Sequence, residues 1–336
     1  MNNCHYTSLF IGLFLAFFIV SIAYLPQFAL ILFFSLIFNS LLTGRVDAMS
    51  NRMPRPLAAL AVLLCFIVFM GLAFFIASST IVPMGQDFIN RLPPMMTSFM
   101  ALPWVKEVPF LSDGLDSVWK QLTTFSTEMM RSSLSVVVSV FTRVIDIVLI
   151  LLVTYYFLTD GVKIKHWIVS LFAEDQQARI MRLLGDIWQS LRVYISSQLC
   201  ICLLMGALVY AYFAYRSLPY GPVFAMFSGV CEFIPLVGPT IASCFASLIM
   251  VTISPVIGVE TIVFFLIVTQ INHNIIYPAF VGHSLRLHPL AIILGLALAG
   301  ELIGPLGMFL AVPTMVTGRL VIEDIHRAYV EREINE

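Results

Sequence analysis

Charge is what this chain has least of. Of its 336 residues, 18 are Lys or Arg and 19 are Asp or Glu, so 11% are charged while 60% are hydrophobic. Mean hydropathy is +0.97. A soluble domain carries about 25% charged and roughly 45–50% apolar residues. No soluble core needs this much apolar surface, so the composition reads as an all-α, polytopic membrane protein. A membrane β-barrel is excluded, because its short segments alternate in polarity and the apolar runs here are continuous. There is no run of basic residues, so no nucleic-acid partner is expected. Enzyme motifs are missing too. There is no nucleotide-binding loop, Gly-x-Ser-x-Gly elbow or His-Glu-x-x-His, and no soluble domain to hold ATP. A protein that is not an enzyme, carries no cofactor and draws on ion or solute gradients is the expectation. The six cysteines (Cys4, Cys65, Cys200, Cys202, Cys231, Cys244) lie in or beside apolar runs. Cys200 and Cys202 point to different faces of a helix, which suits neither a disulfide nor a metal site. They read as small packing residues. His273, His283 and His288 lack metal spacing. No Lys or Arg precedes the first apolar run, so a basic signal-peptide n-region is absent and that run reads as a retained span.

What is present are apolar runs in a definite order. Residues 1–82 hold three: 8–25, stopped by Pro26; 28–42, barely long enough for a ~30 Å core at about 1.5 Å per residue; and 57–82. Residues 83–134 are polar and proline-bearing. Ser112 can cap a helix there whose Leu115, Val118, Trp119, Leu122, Phe125 and Met129 form one stripe. Residues 135–159 carry a fourth span with Arg143 and Asp146 on one face. Residues 160–192 are polar again, with Ile180, Leu183, Leu184, Ile187, Trp188 and Leu191 at helical spacing. A fifth span, 193–215, opens the last apolar region, 193–318, and a charged tail closes the chain over 319–336. The loops at 43–56 and 160–192 and the tail are the basic ones, and 83–134 is acidic on balance. Short basic loops stay cytoplasmic. Both termini are therefore expected inside, with 83–134 an extracytoplasmic amphipathic segment and 160–192 a cytoplasmic one. Both segments offer surfaces for self-association, so a homo-oligomer is expected.

The rest of the chain is organised around residues 224–316. Residues 218–253 would measure about 54 Å as one helix, too long for one crossing, and they are broken at Pro235, Gly238 and Pro239. Residues 256–277 are an ordinary span that ends at Pro278. Residues 287–318 are again too long and are broken at Gly304, Pro305 and Gly307. The two breaks echo one another, Glu232-Phe233-Ile234-Pro235 against Glu301-Leu302-Ile303-Gly304. Interrupted segments in corresponding places point to a transporter site near the midplane. Two schemes fit: six full spans plus two re-entrant broken hairpins of opposite direction, or eight spans, two of them kinked. They differ in the side on which 282–288 lies.

These pieces resemble the family of the autoinducer-2 exporter, a large family of bacterial inner-membrane permeases. The matching pieces are Tyr155-Tyr156-Phe157-Leu158-Thr159-Asp160, Gln198, Glu232-Phe233-Ile234-Pro235-Leu236-Val237-Gly238-Pro239, Gln270 followed by Asn274 and Pro278, Gly282 with Leu287-His288-Pro289, and Ala311-Val312-Pro313. Their order covers nearly the whole chain. The resemblance implies inner-membrane transport of a small polar molecule such as autoinducer-2, or sodium/proton antiport as in some relatives. One departure is that Asn272 stands where the family often has an acid.

An ionisable side chain at membrane depth costs roughly +2.5 kcal/mol even on lenient scales, and such groups line a pathway rather than face lipid. Glu232 reads either as a proton carrier or as a cap for amides freed at 235–239. Glu301 has a similar place. Gln270, Asn272 and Asn274 sit two residues apart on one helix, with Gln270 and Asn274 on a shared face. Uncharged amides bind hydroxyls or a partly dehydrated cation, or tie helices together at about 0.6–2 kcal/mol. The expected path residues are Glu232, Gln270, Asn272, Asn274 and Glu301, and the expected partners are a small polar substrate, a coupling proton or sodium ion, and lipid. The expected function is a secondary, non-ATP exporter working by alternating access. The rival readings are a cation/proton antiporter and a membrane scaffold that moves nothing.

Overall fold

Every regular element among the described residues is a helix. The structure, a computed structural model, describes residues 7–8, 11–13, 24–100, 144–235, 237–280 and 287–335. Most of the first expected span, the Leu115–Met129 stripe and the 282–286 loop lie outside them. The elements are α1 (Pro26–Ser50), α2 (Arg55–Met100), α3 (Val144–Ser170), α4 (Glu174–Tyr215), α5 (Gly221–Cys231), α6 (Val237–Ile253), α7 (Pro255–Ile271), a π-turn (Asn272–Ile276), α8 (Tyr277–Phe280), α9 (Pro289–Ile303) and α10 (Pro305–Asn335). Five of the resulting segments are long and apolar enough to cross a membrane: Gln27–Ser50, Arg55–Ile76, Val144–Ser170, Glu174–Tyr215 and Pro255–Phe280. Helices α5, α6 and α9 are apolar but shorter. The chain is an all-α, multi-pass membrane protein.

Proline opens α1, α7, α9 and α10 within their first two positions, where its missing amide has no partner to lose and its fixed φ suits the helix. Proline inside a helix behaves differently. Helix α2 runs on past residue 82, where the third span was expected to end, through Pro83, Pro93 and Pro94. Each proline removes one internal bond, and the flanking turns carry the helix on. The polar segment 160–192 is helical on both sides of one turn. It is the end of α3 and the start of α4, parted by a turn at 171–173.

The chain divides into two compact units. One comprises residues 1–66, 145–198 and 279–336. Its apolar centre joins Leu42 and Val46 of α1 to Ala58, Ala59 and Leu63 of α2 and Leu158 of α3. Arg55 donates to the Leu158 carbonyl at 2.7 Å and pairs with Asp47 at 3.0 Å. A second small core holds Ile11, Val169, Ile180, Leu183 and Val321, so Ile180 and Leu183 of the predicted stripe do face inward. Beside it Arg179 donates to Asp324 of α10 at 2.8 Å, and both side chains are largely covered. Asp146 accepts from Gln27 at 3.0 and 3.2 Å; its expected partner Arg143 lies outside the described residues.

The other unit comprises residues 67–144 and 199–278. Its core is aromatic: Phe88 of α2, Phe213 of α4, Tyr220, Phe224 of α5 and Phe265 of α7, with Val209, Ile249 and Met250. Phe213 stacks on Phe224 at 5.0 Å and Tyr212 on Phe264 at 4.1 Å.

Both long broken segments fold back on themselves. The rings of Phe227 and Phe245 lie 5.1 Å apart, whereas a straight helix would separate those positions by about 27 Å. A Cβ on Gly238 would collide with the Cys231 carbonyl, so the arms α5 and α6 approach at a point only glycine permits. In the other unit, Gly295 faces Met315, Gly300 faces Met308 and Gly307 meets the Ala299 carbonyl, which folds α9 onto α10. Gly304 turns that corner at φ 74°, a conformation other residues rarely hold.

Candidate functional site

The α5–α6 turn places Glu232. Its backbone amide donates to the Ser228 carbonyl at 3.0 Å, so the side chain leaves from the last turn of α5. Phe233 donates to Val230 at 3.2 Å, Ile234 to Cys231 at 3.0 Å, Val237 to Pro235 at 2.8 Å and Gly238 to Ile234 at 2.8 Å. Of the amides at 235–239 that the sequence offered to a capping carboxyl, those of Val237 and Gly238 bond backbone carbonyls. The Glu232 carboxylate reaches the end of α7, where Asn272 Nδ2 donates to its Oε1 at 2.6 Å. Glu232 is 5% exposed and Asn272 1% exposed. This bond fixes the amide's orientation, because only the NH₂ end of an Asn side chain donates. Asn272 Oδ1 is thereby turned away from Glu232, buried and without a hydrogen-bond donor among the described residues. The Ser228 hydroxyl, one turn before Glu232, is likewise buried without a partner there.

The other candidates are placed differently. Asn272 continues the inward stripe of α7, with Thr261, Phe265 and Val268. Gln270, His273 and Asn274 are exposed. Asn274 Nδ2 donates to the Gln270 carbonyl at 2.9 Å and to Gln270 Oε1 at 3.1 Å. The three amides are thus divided, one turned in and two turned out. Glu301 lies in the other unit, exposed on α9 one turn before Gly304. His288 caps α9, its Nδ1 accepting from the Leu290 amide at 3.2 Å. Pro239 and Gly238 are buried at the start of α6, and Pro278 comes just after the π-turn. Sequence reasoning missed Ser228 and the π-turn itself. Pro278 is the one signal for the latter, since its ring crowds the carbonyl four residues earlier.

A buried acid bonded to a buried amide, at a hairpin tip inside membrane-grade sequence, is a polar site in a place where polarity is expensive. The model of one protein family, described as "AI-2E family transporter", matches residues 12–327. The chain belongs to the AI-2E transporter family. Its relatives agree. One is "Putative transport protein YueF" of Bacillus subtilis, 29% identical over 285 residues, covering 80% of this chain and 76% of the relative. Another is "Putative transport protein YrrI" of the same organism, 28% identical over 280 residues, covering 82% and 79%. A third, "Putative transport protein MT0215" of Mycobacterium tuberculosis, is 26% identical over 296 residues, covering 84% and 78%. The AI-2E family match makes this chain a multi-pass membrane transporter, with the Glu232–Asn272 pair as its candidate site.

Proposed function

We propose that this AI-2E family member is a secondary exporter of a small polar molecule, of the autoinducer-2 class, driven by a gradient and not by ATP. The observation that carries the reading is the buried Glu232–Asn272 pair at the tip of the α5–α6 hairpin. A carboxyl group and an amide oxygen together accept from hydroxyls, which is how an uncharged polyhydroxylated solute would be held. Helix α5 is about 16 Å long at 1.5 Å per residue, too short for a ~30 Å core, which supports a re-entrant arm. The α9–α10 hairpin is proposed to enter from the opposite side and Glu301 to lie at its aqueous mouth. Gln270 and Asn274 serve the same path from the exposed side of that helix, bonded to each other and not to the pair. The protein is placed in the inner membrane with both termini cytoplasmic, residues 83–134 outside and 160–192 inside, and is expected to work as a homo-oligomer in contact with lipid.

The test is export. Cells expressing the chain are compared with cells expressing Glu232→Gln at equal membrane abundance, and autoinducer-2 activity is measured inside and outside. Retention inside the variant's cells supports the reading, and equal export by both refutes it. The buried acid also favours a second reading, sodium(cation)/proton antiport through Glu232. Purified protein in liposomes with a trapped pH dye decides that one: a sodium jump moves the dye signal only if the carboxyl exchanges the two ions.

A further inference from the structure

Helix α7 keeps α-helical register up to Asn272. The buried positions Thr261, Phe265, Val268 and Asn272 are spaced four, three and four residues, which is one helical stripe. Continued in that register, Tyr277 would lie about 140° round the helix from Asn272, at 100° per residue. The chain does not continue that way. Between Asn272 and Ile276 it forms a π-turn, and the Tyr277 amide donates to the Asn272 carbonyl, five residues back. The wider turn holds an extra residue, so the chain beyond it is set back by roughly one residue's rotation, about 100°. Ile276 is buried and Tyr277 half-buried. The reset leaves Tyr277 only about 40° round the helix from Asn272, on the side from which Asn272 meets Glu232.

Two features hold the turn. Pro278 has no amide and its ring presses on the carbonyl four residues earlier, which a widened turn relieves. The Asn274 amide covers the Gln270 carbonyl at 2.9 Å, at the edge where backbone bonding changes partner. In lipid-facing sequence a carbonyl released from the ladder needs such a partner. The amides that look like a solute path from their spacing form a clasp on the outer side of the turn.

We propose that Tyr277 is a third member of the Glu232–Asn272 site, presented by a π-turn that Gln270, Asn274 and Pro278 hold in place. Where Glu232 and Asn272 Oδ1 accept, the phenol adds a hydroxyl that donates or accepts, so the site engages both ends of a hydroxyl–carbonyl solute. Gln270 and Asn274 are positioning residues that act through Tyr277. The assignment rests on the transport reading for its purpose, but its geometry is tested separately.

The experiment is pairwise cross-linking in the full chain with its six cysteines replaced, using a short bifunctional methanethiosulfonate. Glu232→Cys is paired with Asn272→Cys in one protein and with Tyr277→Cys in another. Both pairs are expected to cross-link. Asn274→Leu, and separately Pro278→Ala, should abolish the 232–277 product and leave the 232–272 product, because only residues beyond the turn change register. Asn274→Gln, which keeps a donor amide, should restore the 232–277 product. Persistence of that product in both Asn274→Leu and Pro278→Ala overturns the proposal. Loss of both products in both variants also overturns it, since the clasp would then hold the helix as a whole. A normal cross-linking pattern beside unimpaired export in Glu232→Gln would sink the transport reading while leaving this geometry intact.

Discussion

The two hairpins begin from nearly the same sequence and end with different interiors. Each has an acid followed by two apolar residues and a breaker, and each folds its arms back at a glycine. The α5–α6 hairpin turns its acid inward, onto Asn272. The α9–α10 hairpin leaves Glu301 exposed and closes over glycines packed on Met308 and Met315. The difference lies in what packs beside each tip. Helix α7 comes after α6 and returns alongside it, which delivers an amide to Glu232. Helix α10 runs 31 residues, on into the charged tail, and is tied down far from its tip by Asp324 to Arg179. A repeated motif therefore specifies a turn, and the neighbouring element decides whether that turn is a site.

The strongest way to break the comparison is to fill the contact the two hairpins share. Gly238→Val and Gly307→Val each drive a side chain into a backbone carbonyl. Overpacking costs about 1–3 kcal/mol or more, and here the obstacle is backbone that cannot move aside. Both variants should lose the monodisperse peak in size-exclusion chromatography. If one survives, the hairpins are not equivalent even in their turns.

Next in size is the anchor of α10. Asp324→Ala removes the carboxylate opposite a largely covered Arg179. Breaking a buried pair costs about 3–5 kcal/mol, and partial exposure brings this nearer to about 1–3 kcal/mol. A clear fall in the thermal midpoint in detergent is expected, and an unchanged midpoint would mean that this hairpin's long arm needs no anchor.

The acids themselves sharpen the contrast. Glu232→Ala removes the acceptor of a fully buried amide, a loss of about 1–3 kcal/mol. Glu301→Ala alters an exposed side chain, for which changes stay within about 0.5 kcal/mol. Thermal unfolding of the two variants side by side should separate them, and equal midpoints would erase the distinction drawn between the tips.

The smallest effect concerns the base of the first hairpin. Tyr220 takes a positive φ of 61° and donates to Asp87 at 3.1 Å. Its phenol is pushed above its ordinary value of 10.0 by burial first, then by the bond to Asp87 and that residue's charge. The folded state therefore holds this proton longer than the unfolded one. Stability from Tyr220 is complete below about pH 10 and falls as pH rises beyond it. Tyr220→Phe should flatten that alkaline decline and cost about 0.5–1.5 kcal/mol at neutral pH through the lost bond. A decline of the same steepness in the variant would assign it to other groups.

Much of this was legible in the residues. Membrane-grade composition, five of the six expected spans and both breaks come from hydropathy, length and the placement of proline and glycine. Each of these is a local property. Glu232 was also legible, because a charge in such sequence marks itself. Its partner was not. Spacing alone grouped Gln270 with Asn274 and set Asn272 apart, and that much is right. Which of the two faces turns inward depends on how α7 lies against α6. Reading Glu301 in a place similar to that of Glu232 did not anticipate its exposure, for the same reason.

By itself, then, the sequence determined that this chain lives in a membrane as helices, where those helices must bend, and which families of residue are too costly there to be idle. Hydrophobic transfer and backbone geometry act residue by residue, so a linear reading captures them. The tertiary structure alone decided that Glu232 meets Asn272, that Glu301 stays exposed on its own arm, and that a π-turn resets the helix register between Asn272 and Tyr277. Those facts are set by packing between segments 40 residues apart and by the rotation of one helical turn, which no local pattern encodes.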